Sequence, residues 1–195
     1  MIRTASIAGA CLAAAAIGPL AAQSAGKAAR RDAGAFTLTS PDIAAGAHIA
    51  EAQVFNSFGC NGGNISPTLS WRNAPAGTKS FALLVHDPDA PTGSGWWHWV
   101  VYNIPASASS LPAGAGDPRK QLMPPGVVQA RTDFGTPGYG GPCPPPGKPH
   151  HYYFRLYALK VASLDVPADA SAAYISFSVN AQSLGKAQLM GVYGR

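Results

Sequence analysis

Two prolines decide where the most apolar strand of this chain must stop. Phe81-Ala82-Leu83-Leu84-Val85 is a short apolar run of the kind that forms a core strand. It leads directly into His86-Asp87-Pro88-Asp89-Ala90-Pro91. Proline fixes φ, removes a ladder donor and pushes the preceding residue out of the helical region. The strand must therefore end at the acids. A Gly93-Ser94-Gly95 turn follows, and Trp96-Trp97-His98-Trp99-Val100-Val101-Tyr102-Asn103-Ile104 begins a second strand. Asp87, Asp89 and His98 are expected to meet where one strand ends and its neighbour starts.

Residues 150–161 give the clearest strand signal. Side chains alternate between faces with period two, so His150, Tyr152, Phe154 and Leu156 share one face and His151, Tyr153, Arg155 and Tyr157 the other. The first set grades from polar to apolar, as a pocket wall running into a core should. The same alternation groups His98 with Val100, Tyr102 and Ile104, opposite Trp97, Trp99 and Val101.

Between these runs the chain is rich in turn formers. With 22 glycines, 18 prolines and 12% charged residues, short strands joined by long ordered loops fit better than a helical bundle. Strands are expected at residues 36–40, 69–71 and 187–193, and one or two short helices over 171–184 with Gly185 as a stop. Residues 105–116 read as surface loop. Residues 117–149 are strand-poor, and a loop that long points to function.

Residues 1–25 have the pattern of a secretory signal: Arg3, an alanine-rich apolar stretch, then small residues at 21–25. Residues 26–35 read as a flexible linker and 36–195 as one domain. A periplasmic or secreted location and no stable membrane insertion are expected. Removing the leader takes Cys11 with it and leaves Cys60 and Cys143, an even pair that can form a disulfide in an oxidising compartment; two unpaired loop thiols are the alternative. The net charge of +5 comes from scattered residues with no basic run among aromatics, which argues against nucleic acid.

A carboxylate and two histidines at strand ends can hold a small anion: imidazole N–H groups face the ligand and the carboxylate sets tautomer and charge. If charged histidine drives binding, affinity weakens as pH rises through the histidine range. The same Asp87, Asp89, His98 and His150 could instead hold a divalent metal and activate water, as a metal-dependent hydrolase would. Yet the chain has no HExxH and no GxSxG elbow. No metal or other cofactor is expected.

The Asp87-Pro88-Asp89-Ala90-Pro91 segment with its Trp-His strand resembles the first signature of the phosphatidylethanolamine-binding protein family, specifically its bacterial Raf-kinase-inhibitor-like branch. The run from Gly140 through Cys143-Pro144-Pro145-Pro146 to His150-His151-Tyr152 resembles the second. The resemblance implies a mainly β, antiparallel β-sandwich with a few short peripheral helices. It implies a non-enzymatic binding protein with a small pocket for phosphate-type or phospholipid head groups. Matched residue by residue, that pocket is lined by Asp87, His98, His150 and Tyr152, with Asp89 beside it and Pro144 and Pro145 at the rim. This chain departs in two places: Cys143 stands where animal members often carry glycine, and His151 replaces an arginine. A protein partner modulated through the proline-rich loops, for instance an inhibited protease, is a further alternative. A homodimer is left open.

Overall fold

The computed structural model describes residues 1–2 and 34–195. The signal peptide expected over 1–25 and the linker expected over 26–35 lie outside the described residues, apart from residues 1–2 and 34–35. From Gly34 to Arg195 the chain forms one compact unit.

That unit is a sandwich of two antiparallel sheets. Strands β1 (Thr37–Thr39), β2 (Leu69–Arg72) and β5 (Ser110–Leu111) make a small sheet in the order β1-β2-β5. The larger sheet runs β6-β4-β3-β7-β8, from β3 (Ser80–Asp87), β4 (Trp96–Pro105), β6 (Val128–Gln129), β7 (His150–Leu159) and β8 (Ser183–Tyr193). Central β3 is buried at every position but His86, which explains why it reads as an apolar run with no alternation. It ends at Asp87, immediately before Pro88. Leu38, Leu69, Trp71 and Leu111 of the small sheet pack against Leu83, Val85, Phe154 and Leu156 of the large one.

The other face of the large sheet carries helix α1 (Ala172–Gln182), started by Ser171, whose hydroxyl accepts from the Tyr174 amide at 3.2 Å. Ile175 and Val179 pack on Ala82, Leu84, Val100 and Tyr102. Of the short helices expected, the described residues contain α1 and a 3₁₀ turn at Pro118–Lys120.

Three expectations need correction. Gly185 does not stop the helix: β8 begins at Ser183 and passes through it, and a Cβ there would stand 2.9 Å from Pro75 Cγ. The loop expected over 105–116 contains β5, which pairs Leu111 with Leu69. Two residues are too few to show a period. The third correction concerns β4. Leu84 pairs with Val100 and Val85 with Trp99, but the next residue, His86, pairs with Trp97. His98 is thus an extra residue, a β-bulge. A second one-residue excess lies at Tyr102–Asn103, between the Leu83–Val101 and Phe81–Ile104 pairs, where Asn103 has φ 61°. Strict alternation therefore fails. Trp99, Val101 and Ile104 face the sandwich interior together with His98, while Trp97, Val100 and Tyr102 face the helix side.

Candidate functional site

The ends of β3, β4 and β7 converge at one edge of the sandwich. Asp87 closes β3, His150 opens β7, and the first bulge turns His98 of β4 towards them. The Asp87 carboxylate is buried and held from three directions. One oxygen accepts from the amides of Asp89 at 2.8 Å and Ala90 at 3.2 Å, the turn that Pro88 enforces. The other accepts from His150 Nδ1–H at 2.7 Å. That bond fixes the His150 ring, leaving its Nε2 for the cavity.

His98 is 4% exposed. Its Nδ1–H donates to the Gly140 carbonyl at 2.7 Å, and its Nε2 is buried with no hydrogen-bond partner. Burial drives its pKa from 6.5 down to about 4, against the raising pull of the Gly140 carbonyl and the Asp87 charge. The neutral ring thus carries its hydrogen on the wall side. The expectation that both imidazoles offer N–H to a ligand is corrected: the Gly140 carbonyl takes the His98 hydrogen and Asp87 takes the Nδ1 hydrogen of His150, which donates to the cavity from Nε2 only as an imidazolium. Tyr152 packs edge-on against the His98 ring, 5.1 Å between centroids. Burial pushes its phenol well above the ordinary tyrosine range, so it remains an O–H donor.

Asp87, His98, His150 and Tyr152 line one cavity of about 200 Å³, and Pro144 and Pro145 form part of its rim. Asp89 does not join them. It is exposed and accepts from the His151 amide at 2.8 Å and from His151 Nδ1 at 2.7 Å, so these two residues form a separate pair directed away from the cavity. Sequence reasoning named Phe134 only as an aromatic of an ordered, functional loop and missed Phe58; both line the cavity with Trp96. Phe134 lies 5.4 Å from both His98 and Trp96 and stacks at 5.9 Å on Phe58, which is 62% exposed. Aromatic residues in loops rich in glycine and proline were the only signal for them.

Two loops carry this wall, and they are tied to each other. Asn64 accepts from the Gly141 amide at 2.8 Å and donates to the Tyr139 carbonyl at 3.3 Å; the Tyr139 hydroxyl donates to the Gln53 carbonyl at 3.0 Å. Gly141 runs so close to Gln53 that any Cβ there would collide with its carbonyl oxygen. Cys60 and Cys143 form a disulfide with Cα atoms 6.0 Å apart. Arg195 adds bonds to the carbonyls of Pro144 at 2.7 Å and Gly59 at 3.1 Å. Among the described residues, no three His, Cys, Asp or Glu side chains are grouped as metal donors, and no helix is long and apolar enough to cross a membrane.

Residues 39–194 match the family described as phosphatidylethanolamine-binding protein. The chain is 50% identical over 162 residues to YbcL of Escherichia coli, covering 83% of this chain and 88% of that protein. It is 48% identical over 156 residues to YbhB of the same organism, covering 80% and 98%. It is 36% identical over 159 residues to LppC of Mycobacterium tuberculosis, a protein named as a lipoprotein, covering 81% and 72%. The crystal structure of YbcL superposes with a TM-score of 0.80 at 49% identity, over 82% of this chain and 98% of that one.

Proposed function

This chain belongs to the phosphatidylethanolamine-binding protein family, and on that premise we propose that it is an exported, non-enzymatic binding protein whose pocket takes a small phosphate-type anion, free or as the head group of an ester. One observation carries the reading. Two imidazole nitrogens and a phenol converge on a cavity of about 200 Å³, and one of those nitrogens is buried without a partner. A buried polar atom left unpaired costs about 1–3 kcal/mol, a cost that a ligand's hydrogen bond would remove. The cavity suits a head group, and its aromatic rim suits whatever apolar part the head group is attached to. Metal-dependent hydrolysis has less support, since among the described residues no three His, Cys, Asp or Glu side chains are grouped as metal donors. Export is supported by the disulfide and by the relative named as a lipoprotein.

Titration with inorganic phosphate, followed by calorimetry or NMR, tests the pocket. A charge-assisted hydrogen bond contributes roughly 1.5–3 kcal/mol, so His150→Ala should weaken binding about ten- to a hundredfold. His151→Ala changes the neighbouring residue on the opposite face and should leave binding nearly unchanged. Equal losses in the two variants would place the anion elsewhere.

A further inference from the structure

We propose that this pocket, if it takes phosphate-type anions as read above, selects ligands that carry a hydrogen on a phosphorus-bound oxygen: the singly protonated phosphomonoester in preference to its dianion or to a diester. The deciding group is His98. Its one hydrogen is spent on the Gly140 carbonyl at 2.7 Å, so Nε2 is a bare acceptor, buried and unpartnered. An oxygen that meets it must bring a hydrogen.

The surroundings do not offer a way round this. The ionisable groups around the ring are Asp87 and His86 from β3, and His150 and Tyr152 from β7; the loop side contributes Phe134 and the backbone of Gly140 and Gly141. None of these is a lysine or arginine, and none lines the cavity elsewhere. A dianion would face one carboxylate, the lone pair of His98 and, while His150 is neutral, a second lone pair on its Nε2. A monoanion with one P–O–H gives that hydrogen to His98 Nε2, and its remaining oxygens accept from Tyr152 O–H and from the Nε2–H that His150 carries as an imidazolium, its Nδ1–H being held by Asp87. The proton can come instead from solvent and sit on His98, but burial opposes a charged ring there. Counted at His98, a dianion that binds takes up one proton from solvent and a monoanion takes up none; at His150 either ligand draws one more proton if that ring starts neutral, and no bond between heavy atoms changes.

The consequence is a pH dependence belonging to the ligand. A phosphomonoester loses its second proton near pH 6, so its affinity should fall about tenfold per pH unit above that point. A diester has no such proton to bring at any neutral pH.

Calorimetry of the full chain with inorganic phosphate, methyl phosphate and dimethyl phosphate, from pH 5.5 to 8, separates the outcomes. Inorganic phosphate retains an O–H throughout this range and should bind throughout it. Between pH 6 and 8 methyl phosphate should weaken about a hundredfold relative to inorganic phosphate, and at pH 8 it should take up one proton more per molecule bound than inorganic phosphate does, read from the dependence of the heat on buffer ionisation; any proton taken up by His150 is common to both ligands. Dimethyl phosphate should bind at least tenfold more weakly than methyl phosphate at pH 6. His98→Gln, whose amide can turn a donor towards the ligand, should narrow the gap between monoester and diester and flatten the pH profile. If inorganic phosphate fails to bind at any pH, the anion-pocket reading itself falls. If phosphate binds but dimethyl phosphate matches methyl phosphate, the selectivity alone falls. An unchanged pH profile in His98→Gln assigns the proton to His150 and also overturns the proposal. Should that variant not fold, the diester comparison on the unaltered chain still decides.

Discussion

Holding a neutral histidine inside a sandwich has a signature in stability as well as in binding. His98 titrates near 6.5 in an unfolded chain and near 4 in the folded one, because burial penalises its charge. Between those values the unfolded chain binds a proton that the folded chain refuses. Stability is therefore lost as pH falls from 6.5 to 4, and this residue contributes no slope above 6.5. The full effect is about 3 kcal/mol by linkage. Urea titrations at pH 4.5, 5.5 and 7 should show a shallower loss in His98→Gln than in the unaltered chain. Parallel profiles would mean that the imidazole is protonated in place or lies open to water. At this scale much of the site was legible. The placement of Asp87, His150 and Tyr152 follows from a proline stop and a clean alternation of faces, and their grouping as a pocket from the family resemblance. The direction of the His98 hydrogen was not legible, because its acceptor is a backbone carbonyl 42 residues away.

Among the elements, β4 is the one that pattern reading got wrong. Alternation assumes an unbroken ladder, and β4 carries two single-residue excesses against β3. Nothing in a run of tryptophan, valine and tyrosine marks such a break; only Asn103, a residue that tolerates the left-handed region, hints at the second. Asn103 also ties the bulge to the β7–α1 connection, its side-chain oxygen accepting from the Leu164 amide at 2.7 Å. Asn103→Gly keeps the backbone conformation and loses that bond. Asn103→Ala loses the bond and forces a Cβ into φ 61°. The alanine variant should be the less stable by about 1 kcal/mol in chemical denaturation. The reverse order would show that the left-handed conformation costs this bulge nothing. By contrast β3 and β7 were legible almost residue for residue, since neither slips against the other along the pairs from Ser80–Leu159 to His86–Tyr153.

For the whole molecule, short strands joined by long loops were foreseeable from turns and sparse charge and the sandwich from the family resemblance, while the partnership of the two long loops was not, since it depends on bonds between residues 53–64 and 139–143. The Cys60–Cys143 bridge closes a loop of 83 residues across that partnership. Cross-linking over such a span restricts the unfolded chain by about 4–5 kcal/mol in the chain-entropy picture. Replacing both cysteines with alanine should lower the melting temperature and weaken phosphate binding, since Cys143 lines the cavity. An unchanged melting temperature would show that the loops are held by their hydrogen bonds alone. The paired bulges of β4 carry a different consequence, which concerns inheritance. Each excess residue stands outside the pairing, so Val85–Trp99 and His86–Trp97 would remain partners if His98 were deleted. A lineage that lost that codon would keep every other side chain of β4 on its own side of the sheet. What would go is the buried imidazole of the pocket. The site can therefore be erased by one deletion while the scaffold around it persists.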